Sequence, residues 1–448
     1  MEVATPSPCD TIFAKPISPQ PAPRELTPPA PAREDEDDAV FVMNDTQSLI
    51  IQLLRKHGSM TRDQLSRRLG LSPMGTSKPL SALSRAGMVT LGQKAQSGPG
   101  RPSKSVKLST DRCFSLGITV KHLEVELAIV NLQSQVIDFQ RLPFSFAGGI
   151  TDFAPIYSLA LRMVKALPRR TLFAAGLSFS GDFEFDTEHI LKTNDFSSPG
   201  QADQFRRQLA KKLGTPVTLI HDTEAWLMAE RWCNPSLPPN PTLLHVGDRL
   251  GFSLMIDGHL CRGTPLWSRW LGRIQVPFSQ EKAAGFLPGA LAGTADVFSW
   301  IDRLHHYHYG ERPYDSPEGE RREITQLYQR WKDGDSTVQK LVQGGAHDLA
   351  VVIRNVCLLL PFQRVICTGW IPEIRALIID EIRRTLQEIQ TAHRQPVSDS
   401  IPIVSESVLG DQTEAAGSAL WAIDRTLELK MSRRGWKNSS PKSRAAAE

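Results

Sequence analysis

The sequence predicts an α/β protein carrying a small winged helix-turn-helix at its N-terminal end. Two observations predict it. Between residues 45 and 108, three short capped helical stretches are followed by two strand-like segments around a glycine-rich loop; from Phe114 to residue 430, strands and helices alternate. At 448 residues the chain also exceeds one ordinary core, so two or three domains are expected.

The head, residues 43–109, reads element by element. Leu49, Ile50, Leu53 and Leu54 recur at helical spacing, with Asp45 or Thr46 placed to cap the start and Gly58 to end it. Thr61-Arg-Asp-Gln64 is a capping-box pattern opening a second helix, whose Leu65 and Leu69 face inward and which Gly70 closes. Ser72-Pro73 pairs an N-cap with a proline at the first helical position, Leu80 and Leu83 mark the buried side, and Gly87 stops this third helix. Pro79 resists a simple third helix, because an interior proline costs about 3 kcal/mol. Either the helix begins near Ser77, or it is kinked. Met88–Leu91 reads as a strand, 92–102 as a glycine-rich loop and Ser105–Leu108 as the return strand.

Charge gives the head its expected partner. Between Arg55 and Lys107 stand eleven Lys and Arg and one acid, Asp63, although the whole chain carries only +4. Such concentration on a helical unit is the footprint of phosphate binding, so the expected partner is an operator in double-stranded DNA. The third helix of such a unit enters the major groove. That places Pro73, Met74, Thr76, Ser77 and Lys78 near base edges, and Arg62, Arg67 and Arg68 near phosphates. Arg101 and Lys104, in the Gly98–Lys104 loop, either reach a minor groove or belong to a plain polar wing. A winged helix used for protein contact is the alternative, and the charge block speaks against it.

Composition excludes other classes. Hydrophobic residues make up 40% and charged residues 22%, as in soluble globular proteins. No stretch approaches the roughly 20 apolar residues of a membrane span. The first residues lack a basic start and an apolar core, so no secretory signal and a cytoplasmic location are expected. Cys9, Cys113, Cys233, Cys261, Cys357 and Cys367 form no CxxC pair and read as reduced thiols. Residues 1–42, rich in proline and holding the acidic run Glu34–Asp38, are expected to be a disordered tail, and 431–448 a flexible basic one.

Beyond the head, strands are expected at 114–120, 123–131, 136–146, 172–179, 217–220, 243–246, 252–256, 365–368 and 402–405. Helices are expected at 152–167, 205–213, 225–232, 295–309, 320–333, 336–360, 372–391 and 411–430.

Several ordered motifs carry a resemblance. They are Gly100-Arg101-Pro102 before Ser115-Leu-Gly117, Gly176-Leu-Ser178-Phe-Ser180-Gly181, and Pro216-Val217 before His221-Asp222. They continue with His245-Val-Gly247 to Gly251, Ile256-Asp-Gly258 to Gly263, Val365-Ile-Cys-Thr368-Gly369, and Leu409-Gly410-Asp411 before Ala415-Ala-Gly417. In this order the chain, over about residues 46–425, resembles the ROK family of sugar-responsive repressors and sugar kinases. The resemblance implies two actin and sugar-kinase-like α/β lobes around a cleft: 110–225, completed by 395–430, and 226–394.

Departures from the family pattern decide the expected chemistry. Thr119 stands where the kinases carry an Asp, and Lys121 and His122 where they carry paired glycines. A phosphate cradle needs small residues so that backbone N–H groups can approach the anion. Asp248-Arg249 interrupts the second phosphate loop, and Trp370 adds bulk on the adenosine side. Arg273 replaces the sugar-binding Glu, and no cysteine lies between Cys261 and Cys357 to build the family's zinc site. No catalysis, metal or cofactor is therefore expected. Asn194, His221, Asp222 and Glu224 are the expected contacts to a sugar or sugar-phosphate effector, with Asp222 alternatively, or also, a helix cap. His305, His306 and His308 read as solvated or interfacial, and Trp267 and Trp270 as core or dimer packing. The expected function is a repressor binding its operator as a homodimer or tetramer. The alternative is an active sugar kinase with an appended DNA-binding domain.

Overall fold

The computed structural model describes residues 43–438 apart from 96–102, 122–123, 145–151, 168–170, 185–186, 194, 235, 248, 263–269, 277–286, 306–316, 361, 370–371, 393–401, 408 and 410–412. The expected N-terminal tail and the last ten residues lie outside the described residues.

The head consists of α1 (Asp45–His57), β1 (Ser59–Thr61), α2 (Arg62–Leu69), α3 (Pro73–Arg85), β2 (Val89–Ala95) and β3 (Ser103–Leu108), with wing strands ordered β1-β3-β2. Capping boxes start α1 and α2, from Asn44 with Gln47 and from Thr61 with Gln64. The α1 cap is thus Asn44, one residue before the expected pair. Ser72 caps α3, which begins at Pro73 and runs through Pro79 to Arg85. The start near Ser77 is therefore corrected: Pro79 sits mid-helix, with no N–H to give the carbonyl four residues back. Strand β2 reaches Ala95, into the expected loop. Ile50, Leu54, Leu65, Leu83 and Val106 form the head's core.

The first lobe holds β4 (Cys113–Val120), β5 (Glu124–Asn131), β6 (Val136–Pro143), α4 (Ala154–Lys165), β7 (Thr171–Phe179), β8 (Gly181–Glu184), β9 (His189–Thr193), α5 (Pro199–Leu213), β10 (Val217–His221) and α6 (Asp222–Cys233). Its main sheet runs β10-β7-β4-β5-β6. The second lobe holds β11 (Pro241–Val246), β12 (Leu250–Ile256), β13 (His259–Leu260), α7 (Trp270–Arg273), α8 (Val297–His305), α9 (Pro317–Lys332), α10 (Ser336–Leu359), β14 (Arg364–Gly369), α11 (Pro372–Ala392) and β15 (Ile403–Glu406). Its sheet runs β13-β12-β11-β14-β15. In each lobe an antiparallel meander of three strands is extended by two parallel ones, so one topology occurs twice.

The helix following each sheet's last strand crosses to the other lobe. Helix α6 packs on the second sheet, where the Ser253 hydroxyl donates to the Thr223 carbonyl at 2.9 Å. The final helix, α12 (Thr413–Asn438), packs on the first. Every residue of β4 is buried, with two different faces. Phe114, Leu116, Ile118 and Val120 meet the aromatic core of α4 and α5. On the other face, the small residues Gly117 and Thr119, with Gly176 and Ser178 of neighbouring β7, let α12 lie close: a Cβ at Gly117 would overlap the Ala415 carbonyl oxygen. Burying each of those large apolar side chains contributes about 1.5–3 kcal/mol.

Several elements differ from expectation: α5 begins at Pro199 instead of 205, and the short β1, β13 and α7 lie outside the expected set. Strand β15 pairs with β14, so 403–406 belongs to the second sheet, and only α12 returns to the first lobe. Helix α12 continues to Asn438, past the expected end at 430. The ribbon β8–β9 was not expected; its strands are four and five residues long with a bulge between Asp182 and Phe183, too short for a periodic signal.

Candidate nucleic-acid interface and interlobe cleft

The head presents the N-terminal half of α3. Pro73, Met74 and Lys78 are exposed, Met74 to 86%. The Ser77 hydroxyl donates to the Pro73 carbonyl at 2.8 Å and accepts from Arg62 Nη1 at 3.3 Å, which brings an α2 cation beside α3. Arg67 and Arg68 are exposed on α2. Arg68 lies 3.0 Å from the His57 ring, and partial burial, Arg68 and Lys56 together hold His57 below its ordinary pKa. Arg101 and the side chain of Lys104 lie outside the described residues.

Two residues of the basic head do not fit a DNA-facing role. Thr76 is fully buried: its hydroxyl accepts from Ser66 at 2.9 Å and donates to the Ser72 carbonyl at 3.2 Å. It locks α3 onto α2 and is removed from the base-contacting set. Arg55, the first cation of the block, has a side chain with 0% exposure.

In the cleft, β10 and the start of α6 deliver the surviving acid. Asp222 is the first residue of α6, and its Oδ1 accepts from the Thr223 N–H at 2.6 Å and pairs with His221 Nδ1 at 2.5 Å. The carboxylate therefore takes up one free N–H of the first turn while His221 occupies the N-cap position, and its side chain remains 28% exposed. Burial opposes both charges. Asp222, with Glu224 and Asp182, nevertheless raises the His221 pKa, while His221 lowers that of Asp222. This pair can offer hydrogen bonds to a hydroxylated ligand. Asn194 lies outside the described residues.

Glu224 is not an open cleft residue. It is 5% exposed and bound by the Arg262 guanidinium through two hydrogen bonds, of 3.2 and 2.9 Å. Arg262 lies 3.9 Å over the Trp421 ring, whose Nε1–H donates to the Leu219 carbonyl at 2.9 Å. Glu224 thus ties α6 to the end of β13 and to α12. Its expected contact with an effector is corrected to a structural tie, because the carboxylate is buried and held at both oxygens by one guanidinium.

Where the resemblance would place a phosphate, the chain's own groups meet one another. The Thr119 hydroxyl lies 2.7 Å from that of Ser178, which in turn lies 2.7 Å from that of Ser418, all buried. Lys121 Nζ sits between Glu126 at 3.1 Å and Glu414 at 3.4 Å. Burial alone would lower the Lys121 pKa, but Glu414 and Glu126 overcome it and hold the ammonium charged. Burial pushes Glu414 up to about 7, against Lys121, with Glu126 and Asp222 adding to the rise. Across the cleft, His245 Nδ1 lies 2.9 Å from the Thr368 hydroxyl and its ring 5.9 Å from that of Trp226. Arg249 and Arg273 are exposed. Among the described residues, no group of three or more His, Cys, Asp or Glu could hold a metal ion. Nor, among them, is any helix long and apolar enough to cross a membrane. Sequence reasoning missed Arg262, Trp421, Glu126, Glu414 and Ser418; their signal is spatial, since Glu224 and Arg262 stand 38 residues apart.

Residues 116–425 match the ROK family, and residues 43–90 match a winged helix-turn-helix DNA-binding family. The chain is similar to the DNA-binding transcriptional repressor Mlc of Escherichia coli (strain K12): 24% identical over 380 residues, covering 83% of this chain and 91% of that one. It is 22% identical over 255 residues to the xylose repressor of Bacillus subtilis (strain 168), spanning 56% of this chain and 65% of the relative. Among solved structures, a ROK family transcriptional regulator homologous to E. coli Mlc has a TM-score of 0.65 at 19% identity, covering 86% of this chain and 98% of that one. A ROK hexokinase from Thermus thermophilus has a TM-score of 0.55 at 19% identity, covering 70% and 99%. Likeness at these identities shows the fold, and the fold is shared by regulators and kinases.

Proposed function

The chain belongs to the ROK family, and we propose that it is a DNA-binding transcriptional repressor whose two lobes act as a sensor without phosphoryl transfer. The observation that carries this reading is the Arg62–Ser77 contact at 3.3 Å. It sets a cation, the exposed start of α3 and Lys78 on one side of a small basic head. Major-groove entry by α3 then brings Pro73, Met74 and Lys78 to base edges while Arg62, Arg67 and Arg68 meet phosphates. The names of Mlc and the xylose repressors support the same reading.

The loss of kinase chemistry is supported by the buried Thr119–Ser178–Ser418 hydroxyls and by Lys121, which is paired to two acids where a phosphate cradle needs open backbone N–H groups. In its place, His221 and Asp222 would hold a sugar or sugar derivative, with Asn194 as a further expected contact. A cytoplasmic homodimer, or a dimer of dimers, would match inverted half-sites.

The test is fluorescence anisotropy of the full chain with duplex DNA from its own promoter region across a salt series. Binding should weaken steeply with salt, and neutralising Arg67, Arg68 and Lys78 together should abolish it. Undiminished retention by the neutralised variant would instead assign the head to protein contact. A coupled ATP assay with a panel of hexoses should show no turnover; turnover lost in Asp222→Asn would restore the kinase alternative.

A further inference from the structure

We propose that Arg55, Asp424 and Trp232 form a joint that fixes the head on the sensor, which makes Arg55 a positioning residue and not a phosphate contact. The joint itself is read from geometry; its consequence for DNA rests on the function proposed above.

The three residues come from three elements, α1, α12 and α6. The fully buried Arg55 guanidinium pairs with Asp424 and lies 3.7 Å from the centroid of the Trp232 ring. Trp232 Nε1 donates to the second Asp424 oxygen at 3.1 Å, which closes the triangle. Burial lowers the Arg55 pKa and raises that of Asp424, each opposed by its partner. A buried ion pair of this kind is weak support for stability, since well-packed apolar residues often do as well; it is directional, and therefore suited to fixing an orientation.

What the joint connects gives it meaning. Helix α6 opens at Asp222 in the cleft, and Trp232 stands ten residues on. Helix α12 carries Glu414 in its first turn, paired with Lys121, and Asp424 again ten residues on. Ten helical residues rise about 15 Å. Both helices that open at the cleft therefore reach one guanidinium of the head, α6 at its C-terminal end and α12 midway along its length. Other contacts stiffen the same junction. Ile423 and Leu427 of α12 enter the head's core, and Gln133 Nε2 donates to the Leu108 carbonyl at 2.7 Å. A shift of α6 against α12 must then move Arg55, and α1 with it.

The test uses the full chain with Arg55→Met, the near-isosteric Asp424→Asn, and the swap R55D with D424R. Hydrogen exchange should rise about tenfold at residues 420–428 and 108–113 in the single variants. It should stay at wild-type protection in α2 and α3, and fall back toward wild type in the swap. With promoter-region duplex DNA, each single variant should bind about tenfold more weakly. The slope of log Kd against log salt should be unchanged, whereas losing a true phosphate contact lowers it by about 0.9. Wild-type exchange in both single variants, loss of protection throughout α2 and α3, or a lowered salt slope would each overturn the joint. If the wild type ignores duplex DNA, the regulator reading fails, and the exchange measurements still decide the joint.

Discussion

Gly417 of α12 crosses Ala225 of α6 so closely that a Cβ on the glycine would overlap the Ala225 carbonyl oxygen. The crossing joins the two helices that follow the last strands of the two sheets, and it lies between the cleft and the head. The obstructing atom is backbone, which cannot rotate away. Gly417→Ala should therefore destabilise the chain by about 3 kcal/mol, the upper end of overpacking costs. Gly344→Ala is the control: it lies in α10 with nothing within 4 Å of the added methyl, and should stabilise by about 0.5–1 kcal/mol. Urea unfolding of both variants checks this, and equal midpoints would contradict the crossing.

Two neighbouring residues on α3 separate DNA contact from architecture. Lys78 is exposed and proposed to meet a base edge, so Lys78→Ala should weaken binding to promoter-region DNA by about 1–3 kcal/mol and relax sequence preference, with little effect on unfolding. Thr76→Val removes the buried hydroxyl that accepts from Ser66 and should cost the head about 1–3 kcal/mol while leaving sequence preference intact. Anisotropy titrations beside thermal melts distinguish the two; a relaxed sequence preference in the Thr76 variant would return Thr76 to the DNA-facing set.

Glu414 makes stability depend on pH. Its carboxyl, pushed up to about 7 first by burial, stays protonated in the folded chain at pH values where an unfolded glutamate, near about 4.3, has ionised. Between those values the folded state binds more protons, so this group's contribution falls as pH rises through the window and levels off above about 7. Relative to Glu414→Gln, the wild type should lose ~3 kcal/mol between pH 4.5 and 8. Denaturation at a series of pH values measures the difference, and a wild-type curve parallel to the variant's would remove Glu414 as its source.

How much was legible in the sequence follows from the range of the forces involved. Capping boxes act within four residues, so Thr61 with Gln64 and Ser72 with Pro73 marked their helices directly. The β4 strand was legible as an apolar run because both its faces are covered. Charge clustering told that the head is basic and not which cations face outward: Arg55 meets Asp424 across 369 residues of chain. Glu224 looked like a cleft acid for the same reason, its partner Arg262 being brought in by the second sheet. Strand β15 could not be assigned to a sheet from its own four residues, since its partner β14 lies beyond α11.

On the proposed reading of a sensor without phosphoryl transfer, putting back one family residue should not produce that activity. Thr119 has no exposed surface, and its hydroxyl belongs to the chain through Ser178 to Ser418, so Thr119→Asp would bury a carboxylate among groups already paired. Such a charge carries a desolvation cost of several kcal/mol unless it is protonated. Metal and phosphate approach would still meet Lys121 held between Glu126 and Glu414. The variant should therefore unfold at lower urea concentration by roughly 3–5 kcal/mol, in line with other uncompensated buried charges. In a coupled assay it should turn over no ATP with any hexose, as the wild type should not. Measurable turnover in Thr119→Asp would mean that the cleft still accepts a nucleotide and that a single side chain had silenced it.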